Sequence, residues 1–175
     1  SRQSRGLGDV YKRQMFDFES VQHLRKTGQY EAAKELVRQY VEIAPNDPTV
    51  LYQMAWCHDS LGEEQAAVPY YEQALALGLA GEDRLQAHIG LGSTYRVIGQ
   101  FKEASSVFRS ALLEFPDAHA LQAFLAMTEY NLGQVNQAVG RLLKSLAATS
   151  SDASIQTFNR ALRYYADHLD EIVTE

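Results

Sequence analysis

The chain has 175 residues, 46% of them apolar, with one Cys and 16 Lys plus Arg against 22 Asp plus Glu, for a formal net charge of -6. One cysteine closes no internal disulfide, and no apolar run reaches the roughly 18 residues that a membrane helix needs, so a disulfide-stapled scaffold and a helical membrane span are excluded. An acidic chain repels phosphate backbones, which argues against nucleic acid as a partner.

Residues 1–14 hold Arg2, Arg5, Lys12 and Arg13 against a single acid, Asp9, and show no apolar period. They read as a disordered, non-native tail fused ahead of a start at Met15. Their basic pair Lys12-Arg13 leads into Met15-Phe16-Asp17 and not into the apolar stretch of a signal peptide, so a cytoplasmic location is expected.

From residue 15 onward the sequence repeats itself. Gly28, Gly62, Gly99 and Gly133 are separated by 34, 37 and 34 residues, and each is followed five residues later by an alanine: Ala33, Ala67, Ala104 and Ala138. A glycine between two helix-like stretches supplies the left-handed backbone that ends the first and turns the chain into the second. Small residues facing one another across the pair (Ala55 with Ala67, Gly92 with Ala104, Ala126 with Ala138) let the two helices approach closely. Four helix pairs follow, over residues 14–47, 48–81, 85–118 and 119–152. Pro45 and Pro116 fall at the ends of pairs, where proline stops a helix at low cost. The three extra residues of the second interval fall at Gly78 to Arg84, which read as a longer loop feeding a helix start at Glu82 and Asp83. Pro69 lies inside the second helix of the second pair and predicts a kink or a late start there. Tyr71, Tyr95, Phe101, Phe108 and Leu142 are expected to fill the space between helices. In the last stretch, Ile155, Phe158, Leu162, Leu169 and Ile172 recur at helical spacing, predicting one capping helix over 153–173.

A 34-residue period with this pattern resembles the tetratricopeptide repeat (TPR) family. The third unit carries the likeness most fully, through Leu91, Gly92, Tyr95, Gly99, Ala104, Phe108, Ala111 and Pro116. From about residue 85 the chain is similar to small bacterial TPR proteins, in Phe124-Leu125-Ala126, Leu132-Gly133, Leu142-Leu143 and Arg160-Ala161-Leu162. The resemblance implies an all-α, right-handed α-solenoid of four TPR helix pairs plus a C-terminal capping helix, forming a single domain over 15–175. It implies a non-enzymatic scaffold that binds a protein or peptide in its concave groove, with no cofactor and no membrane partner. Homo-oligomerisation through exposed end repeats, or through Phe16 and Phe18, is the alternative.

The repeat positions that face the groove in this family map onto Phe18, Gln22, Arg25 and Lys26, then Tyr52, Trp56 and Asp59. They continue with Ile89, Ser93 and Arg96, with Met127, Tyr130 and Asn131, and with Gln156, Arg160, Arg163 and Tyr164 of the capping helix. Aromatic and Met side chains supply contact area, and Arg pairs with carboxylates. The expected binding set is Tyr52, Trp56, Ser93, Arg96, Met127, Tyr130, Asn131, Arg160, Arg163 and Tyr164. Some TPR domains clamp a peptide carboxylate with Lys and Asn. Phe18, Gln22, Tyr52 and Trp56 occupy those places here and argue against that mode.

Catalytic and metal readings are weaker. His23, His58, His88, His119 and His168 lack paired metal-ligand spacing, and His58 and His88 stand at packing positions. Cys57 and His58 are sequence neighbours, so on a helix they point about 100° apart and make no nucleophile–base pair. Glu63-Glu64 and Asp152 read as helix-start charges.

Overall fold

The computed structural model describes residues 16–174, so the tail expected over 1–14 lies outside the described residues. Among these the chain forms ten helices and divides into two compact units, one running to Gly90 and the other from Leu91.

The first unit holds α1 (Phe18–Lys26), α2 (Tyr30–Ile43), α3 (Pro48–Ser60) and α4 (Glu64–Ala76), and α5 (Gly81–Val97) begins in it. Asp17 starts α1 by accepting from the Ser20 amide, and Asp47 starts α3 by accepting from Thr49 and Val50, with Pro48 in the first turn where its missing N–H costs nothing. The turn after α1 shows the physics of all four. Gly28 takes φ +74°, its N–H donates to the Arg25 carbonyl, and Gln29 donates to Leu24, so two carbonyls of the last turn are satisfied as the chain reverses. Gly62, Gly99 and Gly133 repeat the arrangement, as the spacing predicts.

Each helix packs on its neighbour in sequence, α1 on α2, α2 on α3 and α3 on α4. Val21 of α1, Ala33 and Val37 of α2, and Val50, Met54 and Cys57 of α3 close into one buried cluster. Tyr71 is buried with its phenol against Gly90, where a Cβ would stand 2.5 Å from Cζ. α4 runs without interruption through Pro69, so the late start does not occur. Gln65, whose carbonyl loses its bond there, is exposed like Pro69 itself, and water can replace the missing donor. The loop expected at 78–84 is shorter than predicted, because α5 already starts at Gly81 and takes Glu82 and Asp83 into its first turn, where carboxylates favour the helix dipole.

The second unit holds the end of α5, α6 (Phe101–Glu114), α7 (His119–Asn131), α8 (Val135–Thr149), α9 (Ala153–Thr157) and α10 (Asn159–Tyr165). Phe108 sits against Gly92, whose missing side chain makes the room, and stacks on Phe124 with centroids 6.0 Å apart. Two expectations are corrected here. The capping helix is not continuous over 153–173: it breaks at Phe158 and ends at Tyr165. Past that point the chain follows tertiary contacts instead of its own apolar period. The Ala166 carbonyl crosses over Gly140, Lys144 pairs with Asp167 at 2.6 Å, and Asn136 donates to Asp170. Leu142, expected to fill the interior, is 46% exposed, because α10 settles beside it on the Gly140–Ala147 side of α8.

Candidate functional site

Groove positions of the first unit converge on α1 and α3. Gln22 and Lys26 are exposed on α1, and between them and α3 the Arg25 guanidinium lies 3.4 Å above the centre of the Trp56 ring. Arg25 Nη1 donates to Gln53 Oε1 at 2.5 Å, and Tyr30 meets Trp56 edge-on at 5.7 Å. Together Gln22, Arg25, Lys26, Tyr30 and Trp56 line an open pocket of about 380 Å³. Partial burial disfavours the charged form of Arg25 and lowers its pKa, with the neighbouring Tyr52, Cys57, Tyr71 and Asp83 pulling the other way. Arginine's high intrinsic pKa keeps the group cationic at neutral pH. A stacked, tethered guanidinium beside a free Lys is a preorganised receptor for a carboxylate.

Tyr52 does not belong to this set. It is 6% exposed, with its ring 6.3 Å from that of Tyr71, so it packs inside the unit, and burial raises its pKa. Asp59 accepts from the Tyr71 hydroxyl at 3.2 Å.

In the second unit α5 and α7 place Arg96 beside Asn131, with Nη1 donating to the amide oxygen at 3.3 Å. Ser93 Oγ and Arg96 Nε lie one helical turn apart and are both buried without a hydrogen-bond partner. Met127 and Tyr130 are exposed on α7, Tyr130 at 66%. The cap residues go elsewhere. Arg163 is held by Asn159 at 2.8 Å and lines a separate cleft of about 410 Å³ with His119, Gln122, Arg141 and Lys144. Tyr164 stacks on His168 and donates to Glu171 at 2.8 Å, which raises its pKa, and Arg160 is exposed. The break at Phe158 removes the continuous cap helix on which the groove register of Arg160, Arg163 and Tyr164 rests.

Three arrangements escaped the sequence. Glu129 is wholly buried, taking two bonds from Arg141 (2.9 and 2.8 Å) and one from Arg109 (2.9 Å). Its only sequence signal is an acid within an apolar helix. Glu63 caps nothing with its side chain. It instead accepts from Lys34 at 2.9 Å and meets His58 Nδ1 at 2.5 Å, and the Lys34 bond is the larger cause of its lowered pKa. Gln53 and Tyr30 complete the Arg25–Trp56 pocket. Asp152 does start α9, accepting from Ser154 and Ile155. His88 is buried at a packing position, and burial pushes the Cys57 thiol up to about 11, holding it protonated. Among the described residues no group of three or more His, Cys, Asp or Glu is placed to hold a metal, and no helix is long and apolar enough to cross a membrane.

Paired helices turned by left-handed glycines at a 34-residue spacing, with small residues where the pairs cross, define the tetratricopeptide class of helical repeat. Models of that repeat match residues 23–47 and 48–169, and the chain belongs to the tetratricopeptide repeat family. Superkiller protein 3 of Schizosaccharomyces pombe is 26% identical over 147 residues, 79% of this chain, which spans only 10% of that protein. MamA 41-end from Desulfovibrio magneticus RS-1 superposes with a TM-score of 0.68 at 20% identity, covering 86% of this chain and 84% of that one. A Podosopora anserina putative kinesin light chain with nearly identical TPR-like repeats gives 0.65 at 24%, covering 87% and 85%. The structural likenesses establish the fold. TPR proteins as a class act as scaffolds for protein interaction.

Proposed function

We propose that the chain binds an acidic peptide segment of a partner protein through the open faces of its first-of-pair helices, with no chemistry performed on it. The observation that carries this reading is the Arg25 guanidinium stacked on Trp56 and fixed by Gln53, beside the exposed Lys26, in an open pocket. Arg25 and Lys26 would take carboxylates, and Trp56 and Tyr30 would take the apolar stem of the same side chain. Because Gln53 and Trp56 already hold Arg25 in place, little side-chain entropy remains to be lost on binding. On the second unit, Ser93, Arg96 and Asn131 beside Met127 and Tyr130 offer the same chemistry. Ser93 Oγ and Arg96 Nε are buried there, so the donors a peptide meets are at the Arg96 guanidinium tip beside Asn131.

Trp56 is the only tryptophan of the chain, so its fluorescence reports on the pocket alone. Titration with Glu/Asp-rich decapeptides should change that emission saturably, while Lys-rich peptides of equal length should not. Arg25→Ala should weaken the acidic titration by about tenfold or more, the loss of one charge-assisted contact. Equal responses to both peptide classes, or an unchanged affinity in Arg25→Ala with helicity intact, would reject the reading.

A further inference from the structure

Nine residues after each turn glycine stands a large apolar side chain: Val37, Tyr71, Phe108 and Leu142. The first three are 0%, 1% and 0% exposed, and Val37 and Phe108 show why: the next helix in sequence covers them, with Val50, Met54 and Cys57 against Val37 and Phe124 against Phe108. Leu142 occupies the same place on α8 and is 46% exposed. Val135, Val139 and Leu146 join it at spacings of four, three and four residues, which puts all four on one face of α8, each between 39% and 47% exposed. The Leu142 position is the only one of this set that all the earlier pairs bury, and they carry Lys34, Glu64 and Ser105 at others, whereas the α8 face is apolar throughout and has no described helix over Leu142.

We infer that the α8 face is an interface with a second copy of this chain, two α8 helices packing antiparallel about a two-fold axis. The inference goes beyond the peptide-binding reading and does not depend on it. Three observations select this occupant. The stripe is symmetric about its own midpoint, so a two-fold axis there sets Val135 against Leu146 of the partner copy and Val139 against Leu142. That is the self-complementarity a closed dimer requires. The face is also neutral: the charges of α8, Arg141 and Lys144, lie on the other half of the helix, spent on Glu129 and Asp167. With a net charge of -6, two copies repel wherever acidic surfaces meet, and an uncharged apolar face is where they meet at least cost. Pairing of the α8 face with α1, finally, finds no apolar match. The exposed residues of α1 include Glu19, Gln22, His23 and Lys26, and the Phe16 ring packs within its own unit against Phe18 and Tyr40 at 4.6 and 4.4 Å.

The full chain should show, by sedimentation equilibrium, a mass that doubles with rising concentration and does not fall when salt is added. Leu142→Glu, at a half-exposed position, should stay monomeric with unchanged circular dichroism, and Leu146→Gln should weaken the dimer in the same direction. The geometry has its own test in Val135→Cys and Leu146→Cys, because the native Cys57 is buried and silent towards reagents. Mixed together, the two variants should cross-link through a short bismaleimide. Either one alone should not, since its two thiols would lie about 16 Å apart along the helix axis. A wild-type chain that stays monomeric throughout overturns the inference. So does a dimer that survives both Leu142→Glu and Leu146→Gln, or a Val135→Cys chain that cross-links to itself. Peptide titration of the Leu142→Glu monomer keeps the two proposals apart, because the Trp56 pocket lies on α1 and α3 and should bind as before.

Discussion

Arg141 grips the buried Glu129 with two hydrogen bonds, Nε to Oε2 at 2.9 Å and Nη2 to Oε1 at 2.8 Å, and its remaining Nη1 donates to Gln122 at 2.5 Å. A carboxylate shut away from water is tolerable only while its charge is met, and this fork meets most of it. Arg141→Ala is therefore expected to cost about 3 kcal/mol, the penalty of stranding a buried charge. Arg109→Ala, which removes one bond from a half-exposed side chain, should cost about 1 kcal/mol. Urea denaturation ranks the two, and equal losses would show that Glu129 does not depend on the fork.

At the α5–α6 crossing the constraint is space. A Cβ on residue 92 would stand 2.4 Å from Cζ of Phe108. Gly92→Ala should destabilise by about 1–3 kcal/mol through overpacking. Combining it with Phe108→Leu should cost less than the sum of the two single changes, as expected for residues in contact. Gly99→Ala meets no neighbour and should lose only about 1 kcal/mol, from its φ of +82°.

The Lys34–Glu63–His58 cluster gives an acid-sensitive contribution. Lys34, and after it His58, hold the Glu63 carboxyl below its ordinary value of 4.5. A depressed folded value stabilises the fold above the unfolded pKa, and that contribution disappears as the pH falls through the folded one. The denaturation midpoint of Glu63→Gln should therefore lie below wild type near neutrality and converge on it as the solution is acidified below 4.5. A gap that stays constant with pH would refute this assignment.

Cys57 is fully buried in the α1–α3 cluster, with its thiol pushed up to about 11. Thiol reagents should label it only when the unit opens. The labelling rate should be suppressed by orders of magnitude in the native chain and track denaturant as local unfolding does. Rapid labelling without denaturant would mean that the cluster opens far more readily than its packing indicates.

The helix pairs were legible because backbone demands leave a mark on sequence. Only glycine meets a positive φ cheaply, so Gly28, Gly62, Gly99 and Gly133 announce the turns, and Ala33, Ala67, Ala104 and Ala138 announce the crossings. Side-chain direction leaves a weaker mark. Tyr52 and Trp56 stand four residues apart on α3, yet one ring turns in toward Tyr71 and the other lines the pocket with Arg25. Least legible was the C-terminal segment. Its apolar spacing describes one long helix, while the crossing of Ala166 over Gly140 and the Lys144–Asp167 pair lead the chain off that line after Tyr165. Local propensity yields where tertiary contacts compete with it.

Packing of each helix against the one made just before or after it carries a consequence for how the chain comes into being. Val37 meets its covering residues Val50, Met54 and Cys57 within about twenty positions, so the entropy lost in closing that loop is small. A chain emerging from the ribosome can bury this first cluster once α3 is outside the exit tunnel, well before α8 has been translated. Synthesis then proceeds by adding one helix at a time to a surface already set, with the apolar faces made before α8 waiting only for the next stretch of sequence.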